Sequence, residues 1–293
     1  MSVIDRRTFL TSAAAMPALG AANFESAASA ASIATDLSVM EMLVKLRGSL
    51  DGKIAIWWMR GPRYGVTLGA EVTPLFDNLV TSFQRFARRA DGNFDVTMVE
   101  LSYYADIKTG EWLHRWRNPY TGEQNDIEHI VFGPITSVLT PHAATPPVST
   151  PPVSTPGVHL EVKPRIGIIA QEGDDVWVGE DVSAIIRPDQ PERTVYHGND
   201  LATYHGSAQQ LRDAKRQSVD ATIHYQSATN WRTWMKMGDR PGYLMARGMG
   251  RKVWQTQHLP DALLRIARLA HPQIIADPVA ALSAPQPKSS FQR

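Results

Sequence analysis

Residues 90–123, ADGNFDVTMVELSYYADIKTGEWLHRWRNPYTGE, decide the fold. Three turn signals punctuate them. Asp91-Gly92 separates two β-prone runs, 81–89 and 94–105, and a tight hairpin needs residues that tolerate positive φ there. Asp106-Ile107-Lys108-Thr109-Gly110-Glu111 and Asn118-Pro119-Tyr120-Thr121-Gly122-Glu123 share one plan at a spacing of twelve residues. Each has an Asx residue first, Thr-Gly at the fourth and fifth positions, and Glu at the sixth. The Asx side chain caps such a turn, and the glycine supplies a left-handed residue where the chain re-enters a strand. Twelve residues make one strand plus one turn, so this stretch predicts an antiparallel up-and-down sheet.

Alternation across 111–117 puts Trp112, His114 and Trp116 on one face and Leu113, Arg115 and Arg117 on the other. Upstream, 53–60 (KIAIWWMR) is strand-like and is expected to turn at Gly61-Pro62-Arg63 into a second run, 64–68. Downstream, short β-prone runs recur at 165–170, 176–179, 182–187, 193–197 and 222–226. Helical spacing of apolar residues marks 36–46, and 259–270 opens with Pro260 and Asp261, both suited to a first turn. The expected fold class is mainly β: an antiparallel meander closing into a barrel-like, lipocalin- or calycin-like sheet with a few peripheral helices. Closure removes the edges that a long meander would expose.

Domain organisation follows from composition. Arg6-Arg7, then Thr8-Phe9-Leu10 and an Ala-rich run, resemble a twin-arginine export signal over residues 1–30. The Ala-rich run is too short and too weakly apolar to span a membrane, so no stable membrane anchor is expected. A periplasmic or secreted location follows, with the export machinery as a partner. The chain has no cysteine, which excludes disulfides, thiolate metal sites, a cysteine nucleophile and a lipidated N-terminal cysteine. A single β-rich domain is expected over 36–276, with a Pro-Thr-Ser insert at 140–157 that repeats TPPVS, and a tail at 283–293 expected to be disordered. Lys plus Arg (30) balances Asp plus Glu (29) with no long basic run, which argues against nucleic acid as a partner.

No nucleophile elbow, zinc-protease motif, phosphate loop or dinucleotide fingerprint occurs, so no cofactor and no metal is expected. His159 and Glu161 lie two apart, a spacing too common to assign a metal. Tyr196-His197-Gly198 recurs as Tyr204-His205-Gly206 with Asp200 between. Across a hairpin the two pairs would gather imidazoles and phenols for acid–base work; otherwise they are turn-flanking aromatics with exposed histidines. Trp112, His114 and Trp116, with Tyr103, Tyr104 and Arg117, form either the wall of a pocket or plain core, His114 then serving as a tryptophan N–H partner. Between Trp231 and Gly242, Trp231 and Trp234 accompany Arg232, Lys236 and Arg240: an anion site beside aromatic surface, or a core plug.

The stretch Trp116 to Glu123, with Val44 to Gly52 and Trp231 to Gly242, resembles an exported family known only as domain of unknown function 1838. The resemblance covers most of 36–276, leaves the 140–157 repeat outside the family pattern, and implies no assigned chemistry. Two functional readings follow. One is binding or processing of a small hydrophobic or aromatic metabolite in a β-barrel pocket. The other is a cofactor-independent lyase, isomerase or hydrolase using histidine and tyrosine as acid and base. A common cavity reached by His114, His129, His197 and His205 would favour the enzyme.

Overall fold

The computed structural model describes residues 39–67, 69–139, 158–188 and 196–284. The expected export signal, the Pro-Thr-Ser insert and the expected tail, apart from Ser283 and Ala284, lie outside the described residues.

Nine strands form one antiparallel sheet, curled as a half-barrel. Strands β1 (Ala55–Val66), β2 (Thr73–Arg88) and β3 (Phe94–Ala105) follow one another as hairpins. The expected Asp-Gly turn joins β2 to β3: Arg89 N–H donates to the Asn93 carbonyl at 2.8 Å, and Asp91 accepts from Asn93 N–H at 3.0 Å. Beyond β3 the chain leaves the sheet. The expected strand over 111–117 is reduced to β4 (Arg115–Arg117), which pairs with β5 (Gln124–Asp126) in a separate two-stranded hairpin. Trp112 makes only a lone bridge to Ala105. The place beside β3 goes to β6 (Ile130–Leu139). The two six-residue turns are built as expected. In each, the Asx carbonyl accepts the glycine N–H at 2.8 Å, its side chain accepts a second backbone N–H, and Gly110 (φ 71°) and Gly122 (φ 77°) are left-handed.

A second meander follows: β7 (Val158–Glu172), β8 (Asp175–Pro188), β9 (Tyr196–Ser207), β10 (Ala221–Thr229) and β11 (Tyr243–Val253). Ladder β1·β11 joins the two meanders, giving the order β6-β3-β2-β1-β11-β10-β9-β8-β7. The expected break at Gly61-Pro62-Arg63 does not occur; β1 runs straight through it. Pro62 has no N–H to give, and the β1·β11 ladder skips Gly61 and Pro62 while β2 pairs with both.

The curl separates two faces. On the convex face α3 (Asp261–Ala270), α4 (Pro272–Ala276) and α5 (Pro278–Ser283) cover β1–β3 through Leu263, Ile266, Ile275 and Leu282 against Ile56, Phe83 and Leu101. On the concave face α1 (Val39–Arg47) fills one end, where Leu43 and Leu46 pack among Trp57, Phe86, Val178 and Tyr204. Its C-terminal carbonyls are satisfied locally: Trp57 Nε1 donates to Arg47 O at 2.7 Å, and Lys252 Nζ donates to Lys45 O at 2.8 Å and to Gly48 O at 3.1 Å. Arg47 then spans the curl, bonding Gln84 of β2 at 3.0 Å and Glu180 of β8 at 2.6 Å. These strands stand five places apart in the sheet. Short α2 (Ala208–Arg212) follows β9 and is capped by Ser207.

Candidate functional site

Strand parity decides what faces inward. Register runs unbroken from Val182 through Asp200, Ser227 and Ala246 to Arg63 and Phe76, so these side chains share the concave face. Parity along β3 adds Glu100 and Tyr104, and along β9 adds Tyr196 and Tyr204. The far end is stopped by a second plug. Trp234, Met235 and Met237, on and just after a single 3-10 turn at Thr233–Met235, pack with Phe76, Tyr104 and Trp116. Asn118 and Asn125 hold this plug by donating to the Met235 carbonyl at 2.8 and 3.1 Å.

Between the plugs the concave face carries a buried polar cluster, the chamber of the curl. Arg63 is only 5% exposed, and its Nε and Nη1 have no hydrogen-bond partner among the described residues. Its guanidinium stands 5.8 Å from the Tyr104 ring centre, and Arg232 stands 5.5 Å from that of Tyr196. Nε of Arg232, Oη of Tyr104 and Oγ of Ser227 are likewise buried and unpartnered. Opposite these donors are two carboxyls. Asp200 accepts a short hydrogen bond from the Tyr225 hydroxyl. Desolvation inside the curl raises the Asp200 pKa, against the pull of that bond and of Arg63 and Arg232. Glu100 is pushed up to about 7, first by burial between the walls and then by the charge of Asp200, while Arg63 and Arg232 oppose the rise. The Tyr225 phenol is held well above its ordinary value by burial and by Asp200. Chemically the chamber offers unused donors, two cations, a carboxyl that changes protonation near neutrality, and aromatic walls.

The sequence-derived candidates divide among three places. Tyr196 and Tyr204 face the chamber, Tyr204 donating to Glu180 at 3.3 Å. His197 and His205 share strand β9 with them and therefore point to the convex side, so the two Tyr-His pairs are split by the sheet and no hairpin gathers them. His205 stacks on Trp177 at 5.0 Å and meets Asp175 at 2.6 Å on that outer surface.

The aromatic stripe is divided too. Trp116 and Trp234 belong to the plug, their rings 5.8 Å apart, and Tyr104 joins them. Tyr103 points the other way and bonds His271 Nδ1 at 2.7 Å. Trp112 donates to His129 at 2.6 Å, not to His114, which is exposed and lies 4.2 Å from the Trp112 ring. Arg117 is exposed. In the 231–242 segment Trp231 donates to Arg240 O at 3.0 Å, Trp234 packs in the plug, Lys236 is exposed with φ 51°, and of its three cations Arg232 lies over Tyr196. The four histidines do not share a cavity. Glu161 pairs with Lys163 and Arg187, and no metal-holding cluster occurs among the described residues.

Sequence reasoning missed Arg63, Glu100 and Tyr225, and met Asp200 only as a spacer. A usable signal was present: Glu100 stands in a run of otherwise uncharged residues, 96–105, whose two faces are both occupied. An acid in a strand with no solvent face calls for a reason.

No curated protein and no solved structure matches the chain. A family model described as "Protein of unknown function (DUF1838)" matches residues 52–161 and 188–292. The interruption falls at 162–187, most of β7 and β8, and not at the Pro-Thr-Ser repeat, which was expected to stand outside the family pattern. The matched segments cover more than two thirds of the 293 residues, from β1 to beyond α5, and the chain therefore belongs to the DUF1838 family.

Proposed function

We propose that this protein binds a small aromatic or hydrophobic metabolite bearing polar acceptors, in the concave chamber between the two plugs. The observation that carries this reading is Arg63. A guanidinium 5% exposed with two unpaired nitrogens costs several kcal/mol, and an apolar side chain of similar volume would serve the fold better. A bound molecule offering acceptors offsets that cost, as in ligand sites with apolar walls and a few convergent polar groups. The test uses neighbours of opposite parity on β10. Ser227→Met reaches into the chamber and should weaken binding of an aromatic metabolite library, read by thermal shift, by about tenfold. Gln226→Met points outward and should leave binding unchanged. Equal binding by both variants would defeat the proposal.

A second reading, acid–base processing of the same ligand, is favoured by one observation. Glu100 changes protonation near neutrality opposite a carboxylate–phenol pair, Asp200 with Tyr225. Glu100→Gln should then retain binding and lose turnover. We further propose that the chain is exported through its paired arginines to the periplasm or beyond.

A further inference from the structure

We propose that the chamber's ligand is a small, flat, monoanionic organic carboxylate, seated on the guanidiniums of Arg63 and Arg232 with its body against Tyr196. This rests on the chamber being a binding site, and adds the chemical class of its occupant.

Four features of the wall select that class. The unpartnered atoms, Nε and Nη1 of Arg63, Nε of Arg232, Oη of Tyr104 and Oγ of Ser227, are all able to donate. The three guanidinium nitrogens can only donate and the two hydroxyls can donate or accept, so a ligand that satisfies the arginines brings acceptors. Two cations stand among them, and neither makes an ion pair with Glu100 or Asp200 within 4.0 Å among the described residues. An anion is called for, and a guanidinium fork fits the two coplanar oxygens of a carboxylate. Asp200 and Glu100 set an upper limit on charge. The charged and titratable groups facing Glu100 are Asp200 and the Tyr204 phenol from β9, Arg63 from β1 and Arg232 from the segment after β10; its neighbours on β2 and β6, Ser82 and Phe132, carry none. With Glu100 protonated, the cations of Arg63 and Arg232 set against the Asp200 carboxylate leave one positive charge, which a monoanion balances and a dianion such as a phosphate monoester exceeds. The body is set by aromatic rings. Arg232 lies over Tyr196 at 5.5 Å, so a flat conjugated group can continue that stack, while Tyr104, under Arg63 at 5.8 Å, is fully buried in the plug and closes the site.

The test is isothermal titration of the full chain, freed of its leader, with benzoate, cinnamate and 2-naphthoate. Each is set against its primary amide, with phenyl phosphate as the dianion. At least one carboxylate should bind about tenfold more tightly than its amide and than phenyl phosphate. Arg63→Gln and Arg232→Gln should each lower the ratio of carboxylate to amide affinity by about that preference, whatever they do to amide binding itself. Among the described residues Arg63 makes no ion pair, so its variant should fold; should it fail, Arg232→Gln, on a half-buried segment, carries the test alone. Binding should weaken from pH 6 to 8.5 in wild type, and this dependence should vanish in Glu100→Gln. Amides binding as well as acids, preference for phenyl phosphate, or a carboxylate preference that survives both arginine variants would each overturn the assignment. Neutral ligands excluded by Ser227→Met would then leave the chamber reading standing. Failure of every probe, whatever its charge, would bring down both.

Discussion

The indole N–H of Trp112 donates to Nε2 of His129 at 2.6 Å, while Nδ1 of the same ring receives the backbone N–H of Tyr104 at 3.2 Å. A neutral imidazole has one lone pair to offer, so the ring is over-supplied with donors, and adding a proton makes both contacts repulsive. Burial, helped by His114 and His271 and opposed by a bond to Leu113, pushes the ring down to about 4.

Acid sensitivity follows. The folded value lies below the unfolded value near 6.5, so between these limits the unfolded chain binds more protons. Stability is therefore full above about pH 6.5 and is lost as the pH falls toward 4. His271 shifts in the same direction through burial. Because His129 is partly exposed, its loss is on the order of 1–2 kcal/mol. Urea melts at pH 7 and 4.5 should show it, and His129→Gln should flatten the difference.

Substituting the two neighbouring histidines separates support from surface. His114 is exposed and is not the indole's partner, so His114→Ala should change stability by less than about 0.5 kcal/mol. His129→Ala strands the Trp112 N–H and should cost roughly 1–3 kcal/mol. Equal losses in thermal unfolding would place the aromatic cluster wrongly.

Gly110→Val and Gly122→Val isolate backbone conformation, since no atom lies within 4 Å of a Cβ added at either position. Any cost comes from the left-handed φ alone, about 1–3 kcal/mol each. Gly167→Val, also in open space and without a positive φ, is the control. Denaturant midpoints that move equally for all three would refute the assignment.

Arg6→Lys with Arg7→Lys keeps the charge and removes the planar guanidiniums. Precursor should accumulate in the cytoplasm, seen by fractionation and immunoblotting. Undiminished export would remove the twin-arginine reading.

What could be read from the chain depended on range. The turns at 106–111 and 118–123 were legible because an Asx cap and a left-handed glycine act within six residues. Helices 39–47 and 261–270 were legible because one apolar stripe suffices to announce them. Pro62 misled because its tolerance in β1 comes from a gap in the ladder to β11, nearly two hundred residues away. The 111–117 alternation misled because β6 took the place beside β3. Parity within β9 separates tyrosine from histidine at sight, but which parity faces inward is set by the curl. Glu100 and Asp200 are a hundred residues apart and meet only across it, so no local pattern could join them.

The strand order carries one more consequence. Every ladder except β1·β11 joins strands of the same half of the chain, one half ending with β6 and the other beginning with β7. Cutting the polypeptide between them would sever no ladder. The fragments would remain zipped along β1·β11 and strapped by Arg47, which reaches Gln84 in its own fragment and Glu180 in the other. The molecule is thus a natural split protein: two pieces expressed separately can be asked to find each other, and the chamber would exist only where they had.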